Sequence, residues 1–370
     1  MASVVARLAP SPTGAQHVGN ARTYLLAWLS ARSQHGRVLL RIEDLDSPRV
    51  KPWAVQQALE DLAWLGLDWD EGPDRPAAVT PSTAGPPSTA GPPSTAGPPS
   101  TAGPPSALGV PQRYIQSQRL ALYAEALAEL QRRELVYPCT CTRRDVEAAA
   151  SAPHAGQEGP VYPGTCAHRR VQDAVGLAGQ PFAWRFRVQT AAGRPSPVKT
   201  AESALRVAYT DRFAGPQGCH VARDLGDFVV ARSDGKPAYQ LAVVVDDHEM
   251  GITEVVRGDD LIPSTFRQLL LYEVFDWQPP QFAHVPLVIG PDGRRLAKRH
   301  GDTRISLLRE AGIPAERLIG FLAWSCGLQT TTRPIAAREL IPTFAWAKVP
   351  PAPFVFTPAM WQELSDRSEP

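Results

Sequence analysis

Apolar and polar positions divide the chain into strand-length and helix-length blocks. The first block, Val4 to Ala9, is rich in β-formers and is stopped by Pro10 and Pro12, which predicts a buried strand running into a Pro/Gly turn. From Asn20 to His35, the residues Tyr24, Leu25, Trp28, Leu29 and Arg32 fall at helical spacing, and Gly36 stands where a helix C-cap is expected. Val38 to Ile42 reads as a second strand, followed by acidic Glu43, Asp44 and Asp46. Strand, glycine turn, helix and strand begin a βαβ unit, and so an α/β fold on a parallel sheet.

Farther along, Gln118 to Leu135 is an amphipathic helix, and residues 139–225 mix Cys, Gly and Pro with short strand-like pieces such as Phe182 to Val188. Strands are predicted again at Gly226–Val230, Ala238–Val245 and Ile252–Val256, a helix at Pro263–Phe275, a strand at Val285–Ile289 and helix over 305–325. The sheet is therefore expected to be interrupted by the cysteine-bearing segment and resumed after it. Residues 82–105 are four tandem copies of STAGPP. Proline pairs exclude helix and central strand, and the repeat offers no large apolar side chain to bury, so it reads as a flexible polyproline-like spacer in a surface loop.

Composition narrows the class without naming a partner. The chain has 370 residues, 43% of them hydrophobic, enough for two or three domains. With 38 Lys+Arg against 37 Asp+Glu, any nucleic-acid partner would need a local basic patch. The N-terminus does not read as a signal peptide, and no stretch approaches the ~18 uninterrupted apolar residues of a membrane span. Five cysteines, three in one region, suit a cytosolic metal site better than a disulfide framework. A cytoplasmic protein is expected.

Four constellations suggest chemistry. Pro10-Ser11-Pro12-Thr13-Gly14 leads to His17-Val18-Gly19-Asn20 at a helix start, where backbone amides form an anion site and an imidazole can donate to a phosphate oxygen. Gly293 to Gly301 is a dense basic loop whose Lys298 could meet phosphate charge during nucleotidyl transfer; a solvated basic turn is the plainer reading. Cys139, Cys141 and Cys166 fit a tetrahedral zinc site in need of a fourth ligand, for which Tyr162, His168 and His154 are candidates, while Cys219 and Cys326 read as core residues. Arg41-Ile42-Glu43-Asp44 and Arg257-Gly258-Asp259-Asp260 fall at strand ends, where open α/β sheets bind ligands; an Arg for a carboxylate and a Glu for an ammonium make an amino-acid-shaped pair.

Taken in order, these segments resemble the glutamyl-tRNA synthetase family of class I enzymes. ARLAPSPTGAQHVGNARTYLLAW is similar to the family's HIGH region, RIEDLDSPR to its glutamate-pocket strand and RRLAKR to its KMSKS loop; YIQSQRLALYAEAL and VVRGDDLIPST are also family-like. The resemblance covers nearly all of residues 4–355 apart from the repeat. It implies a Rossmann-type catalytic domain in two halves, 1–117 (holding the 82–105 repeat) and 226–304, around an inserted zinc-bearing, acceptor-binding-like domain at 118–225. A helical region at 305–370 would follow, with no anticodon-binding domain. The chain ends about 70 residues after the basic loop, and Cys139, Cys141, Tyr162 and Cys166 match a CxC…YxxxC zinc pattern. Both features resemble the short branch that glutamylates the queuosine base in the anticodon of tRNA(Asp). The alternative is a truncated enzyme charging the 3′ end of tRNA(Glu).

The resemblance further implies an ATP-dependent, glutamate-activating ligase that works without tRNA in its first step, acting as a monomer on L-glutamate and Mg-ATP. Arg7, Leu8, Ala9, Pro10, Ser11, Glu43, Tyr239 and Arg257 would bind glutamate. His17, Gly19, Asn20 and Lys298 would bind ATP, with His17, Asn20 and Lys298 acting in catalysis. Cys139, Cys141, Tyr162 and Cys166 would hold one structural zinc ion. The chain departs from the family at Asn20, where the signature has a second His, and at Ala297, which replaces a serine. Asn can donate a hydrogen bond but cannot carry charge, which bears on the rate and not on the reaction type.

Overall fold

The computed structural model describes residues 3–45, 49–75, 112–149, 161–188, 206–296 and 302–366. The expectations for Lys298, Ala297, His154 and the STAGPP repeat lie outside these residues.

The centre is a parallel sheet of β1 (Val5–Leu8), β2 (Arg37–Leu40), β8 (Glu254–Gly258) and β9 (Gln281–Val285), in the order β2-β1-β8-β9. Its strands come from both ends of the chain, as the interrupted-sheet reading expects. Between them lie α2 (Pro52–Trp64), α3 (Leu120–Arg132) and an antiparallel sheet of β3 (Val136–Cys139), β4 (Ala183–Phe186) and β7 (Phe228–Ala231), with α4 (Arg143–Ala149) after β3. A hairpin of β5 (Arg206–Asp211) and β6 (Gly215–His220) stands between β4 and β7 in sequence. Phe228–Ala231 thus completes the antiparallel sheet and does not join the parallel one.

Side chains alternate across a strand, and the two cores follow that alternation. Ala6, Val38, Leu40, Val256 and Ala283 pack with α1 (Val18–Ser33) and the C-terminal α8 (Ala315–Ser325). Val5, Leu39, Val255 and Phe282 pack on the opposite face with α3, α5 (Tyr239–Glu249) and α6 (Ile262–Val274). By the same period of two, Arg7, Arg41, Arg257 and His284 belong to the α5/α6 face.

Four expectations are corrected. Ala238–Val245 is not a strand: α5 begins at Tyr239, and its Leu241 to Asp247 are all buried, so a helix apolar all round reads like a buried strand. Val285–Ile289 is divided between the end of β9 and β10 (Val288–Ile289), which pairs with β11 (Phe354–Val355), with Pro286 in the break. The helix over 305–325 is two, α7 (Ile305–Glu310) and α8, separated around Gly312, whose φ is +76°, and Pro314. The left-handed residue after α1 is His35 at φ 53°; Gly36 serves instead for close approach, since a Cβ there would meet the Val4 carbonyl oxygen at 2.7 Å. The chain ends in α9 (Pro358–Ser365) among the described residues.

Candidate active site

The β1/β8 boundary is where the sheet changes its direction of winding, and a cleft of roughly 640 Å3 opens there at the carboxyl ends of the strands. Arg7, Ala9, Ser11, His17, Gly19, Asn20, Glu43, Tyr239 and Arg257 all line it. Leu8 and Pro10 do not: Leu8 is in the core behind β1, and buried Pro10 holds the wall through its carbonyl, which accepts from Glu43 N–H at 3.1 Å.

The inner wall is a buried charge network. Arg41 is 0% exposed and donates to Asp247 at 2.6 Å and to Glu43 at 2.9 Å. Asp246 accepts from Arg119 at 2.7 Å, from Gln116 at 2.7 Å and from Tyr123 at 2.9 Å. Burial pushes the Glu43 carboxyl up, and Arg41 and Arg7 pull it back. For Arg7, burial pulls the guanidinium down, Asp247 opposes this, and Arg41 and Arg257 add to it. Arg7 donates through Nη1 to the Val256 carbonyl at 3.3 Å, and its buried Nε faces Asp247 Oδ1 at 3.8 Å, an ion pair longer than a hydrogen bond. Three guanidinium groups, Arg7, Arg41 and Arg257, gathered at one end of the cleft favour an incoming anion, and the nearby Glu43 carboxylate favours an ammonium.

The outer rim is the N-terminus of α1. His17 Nδ1 accepts from Gly19 N–H at 3.1 Å, and Asn20 Oδ1 accepts from His17 N–H at 3.2 Å, a reciprocal cap. With Nδ1 accepting, a neutral His17 carries its proton on Nε2 as a donor. Burial, then Arg295, pushes its pKa down to about 4, so the ring is neutral at physiological pH. A Cβ on Gly19 would meet the His17 ring at 3.0 Å, so the fold-back of the imidazole depends on glycine there. The cap uses the Asn20 carbonyl and leaves its amide N–H groups to donate. Across the rim, Arg295 pairs with Asp260 at 2.5 Å.

Sequence reasoning missed Asp246 and Asp247, because their segment reads as strand, and missed Tyr24 and Gln16, which bond to each other at 2.9 Å and also line the cleft.

Away from the cleft, the sulfurs of Cys139, Cys141 and Cys166 lie within 4.8 Å of one another, with Cys141 and Cys166 at 3.6 Å. Tyr162 Oη is 3.4 Å from Cys139 Sγ and 3.6 Å from Cys141 Sγ, and accepts from Cys166 N–H at 2.8 Å. A tetrahedral zinc with ~2.3 Å bonds needs sulfurs roughly 3.8 Å apart, so the donor set fits a metal. Arg185 donates to Cys139 Sγ at 3.2 Å and lies over the Tyr162 ring at 3.9 Å, offsetting thiolate charge. Burial pushes the Cys166 thiol up, but the Thr140 backbone, Tyr162, Cys141 and Arg169 outweigh it and bring it to about 7. His168 is exposed and outside this group. Cys219 and Cys326 are buried free thiols, as expected of core residues.

Residues 3–349 match the family model described as tRNA synthetases class I (E and Q), catalytic domain. The chain belongs to this class I synthetase family. Its relatives include a glutamyl-Q tRNA(Asp) synthetase of Rhodopirellula baltica, 45% identical over 96% of this chain and 97% of that one. Another of the same name, from Symbiobacterium thermophilum, is 44% identical over 94% of each. A solved glutamate tRNA ligase from Elizabethkingia meningosepticum, in complex with its amino acid, aligns with a TM-score of 0.72 at 25% identity, over 98% of this chain and 69% of that one. The family accounts for the fold: a parallel Rossmann-type sheet interrupted by a cysteine-bearing insert and followed by a helical C-terminal region. Among the described residues no helix is long and apolar enough to cross a membrane.

Proposed function

We propose that the protein activates glutamate with ATP, without tRNA, and passes the glutamyl group to the queuosine base in the anticodon of tRNA(Asp). The observation that carries this is the inner wall, where Arg7, Arg257 and Glu43 line one cleft beside the capped start of α1. A carboxylate on the arginines and an ammonium on Glu43 match an acidic amino acid. The choice of tRNA(Asp) rests on relatives of that name matched over nearly their whole length.

The glutamate α-carboxylate oxygen attacks the α-phosphorus of Mg-ATP. The new O–P bond replaces the bond to the β-phosphate, and pyrophosphate leaves with the electron pair. No protein nucleophile takes part; the chain positions the reactants and stabilises charge. Neutral His17 donates through Nε2–H and Asn20 through its amide to phosphate or ribose oxygens. Lys298 supplies a cation to the phosphates. The mixed anhydride then gives its acyl group to the tRNA base and releases AMP.

The insert, proposed as residues 118–225, holds one zinc ion through Cys139, Cys141, Cys166 and Tyr162. Four protein ligands leave no open position, so the ion is structural. Mapping radiolabelled glutamate on tRNA fragments tests the transfer: label in the anticodon fragment is expected. Label on the terminal adenosine of tRNA(Glu) would establish 3′-end charging in its place.

A further inference from the structure

The residues that could reach a ligand directly do not account for Asp211 and His284, which are 1% and 0% exposed. His284 lies opposite Arg257 in the β8–β9 register, on the same face of the sheet. Its Nε2 is 3.1 Å from Arg257 Nε and 2.9 Å from Thr265 Oγ1. The arginine Nε–H can only donate. Thr265 Oγ1 accepts from Arg257 Nη2 at 2.7 Å and can donate either to the ring or to the Leu261 carbonyl at 3.3 Å, so the arginine decides. Nε2 therefore has to be the unprotonated nitrogen. At the other side of the ring, Nδ1 is 2.6 Å from Asp211 Oδ2, a carboxylate that can only accept. The hydrogen-bond network assigns one tautomer, a neutral imidazole protonated on Nδ1.

The effect on Arg257 is specific. Nε is held by His284, and Nη2 by Thr265 and by Gln268 Oε1 at 2.8 Å. Among the described residues only Nη1 remains without a short partner, with a long 3.4 Å contact to the hydroxyl of cleft-lining Tyr239. The guanidinium is thus fixed on three sides, and one nitrogen is turned to the ligand. Asp211 is itself locked, accepting at Oδ1 from the backbone N–H groups of Phe213 at 2.9 Å, Ala214 at 2.8 Å and His284 at 3.0 Å.

We infer that Asp211 and His284 are positioning residues for substrate recognition: the Asp211 carboxylate sets the His284 tautomer, and the ring nitrogen so exposed aims Arg257 Nη1 at the side-chain carboxylate of the amino acid. The inference rests on the reading of the cleft as a glutamate site. A merely structural role, tying the β5–β6 hairpin to β9, would need the backbone contacts of Asp211 but not its charge.

Asp211→Asn separates the two roles. Its Oδ1 keeps the three backbone contacts, while its amide in place of Oδ2 presents a donor to Nδ1, which drives the proton to Nε2 and sets it against the Arg257 N–H. In glutamate-dependent ATP–pyrophosphate exchange with zinc-loaded full-length enzyme, this variant is expected to raise KM for glutamate about ten- to a hundredfold, with KM for ATP within about twofold. Nitrogen NMR of His284 is expected to show the tautomer exchanged. His284→Gln, whose Oε1 can stand in for Nε2, is expected to rescue the glutamate KM to within about threefold. His284→Asn, without an acceptor at that place, is expected to raise it about tenfold. An unchanged glutamate KM in Asp211→Asn, or equal values for the Gln and Asn variants, overturns the inference while leaving the glutamate reading intact. Wild type with no exchange overturns the glutamate reading and this inference with it.

Discussion

On the inner wall of the cleft, Arg41, Arg257 and Asp247 are 0%, 4% and 2% exposed, and each has a short polar partner; on the outer rim, Arg295 and Asp260 pair while 56% and 31% exposed. The wall is made of strand ends and a buried helix, the rim of a helix N-terminus and a basic loop. Buried charges cannot rearrange without breaking several hydrogen bonds, so the wall is set before a ligand arrives. Exposed pairs are weak and screened by salt, so the rim can part and re-form around a larger, mobile ligand. The same molecule thus separates a fixed recognition surface from an adjustable one, as an enzyme taking a small amino acid and a flexible triphosphate requires.

The largest effect that tests this contrast is on the wall. Arg257→Ala is expected to lower kcat/KM for glutamate about a hundred- to a thousandfold, because it removes a buried, pre-positioned guanidinium from the cleft wall. Steady-state exchange kinetics in both substrates measures this, and an equal loss for ATP would erase the distinction between wall and rim. On the rim, His17→Ala is expected to reduce kcat about ten- to a hundredfold with little change in glutamate KM. Since His17 is held neutral down to about pH 4, its contribution should show no step between pH 6 and 8. A titration near pH 6.5 that disappears in His17→Gln would show that the ring acts as a cation.

A smaller effect concerns the support of the rim. Asp61 on α2 is 0% exposed, and among the described residues neither carboxylate oxygen has a hydrogen-bond donor, although Arg309 Nε on α7 lies 3.3 Å away. Burial is the main cause that raises its pKa from 3.8 to about 7, with Arg309 opposing. A carboxyl raised on folding costs nothing below pH 3.8; the cost grows between 3.8 and about 7 and is complete above that. Asp61→Asn should therefore stabilise the protein at pH 8 and leave it unchanged at pH 3.5. A gain of about 1–2 kcal/mol is expected, discounted because Arg309 and Glu60 above it are themselves partly wet. Chemical denaturation at the two pH values checks it. The smallest effect is at Asn20: Asn20→His should change kcat by no more than about threefold, since the asparagine already caps His17 and keeps amide donors.

The wall and the rim were not equally legible in the sequence. The first strand, α1 and the His17–Asn20 turn stood out because period-2 and period-3.6 patterns meet at a Pro/Gly turn. Arg7 came only with the family resemblance, whereas Arg41, Glu43 and Arg257 could be placed at strand ends from the pattern. Their partners could not. Asp247 lies 206 residues from Arg41 and Asp211 73 residues from His284, and no local pattern carries such a pairing. The run from Leu241 to Val245 has no polar face to reveal its period, so α5 read as strand and its two aspartates as unplaced. The cysteine cluster shows the same division: CxC and a later Cys were visible as candidate ligands, whereas the choice of Tyr162 over His168 depends on how β3 meets the loop before β4, which brings Tyr162 Oη to two sulfurs.

The central claim is that this cleft forms glutamyl-adenylate on its own. Glutamate-dependent ATP–pyrophosphate exchange by the zinc-loaded protein, with tRNA rigorously removed, tests it most directly. The account expects robust exchange with L-glutamate, little with L-glutamine, and loss in Arg257→Ala. Absence of exchange in active, metal-replete protein unless tRNA is added would contradict it.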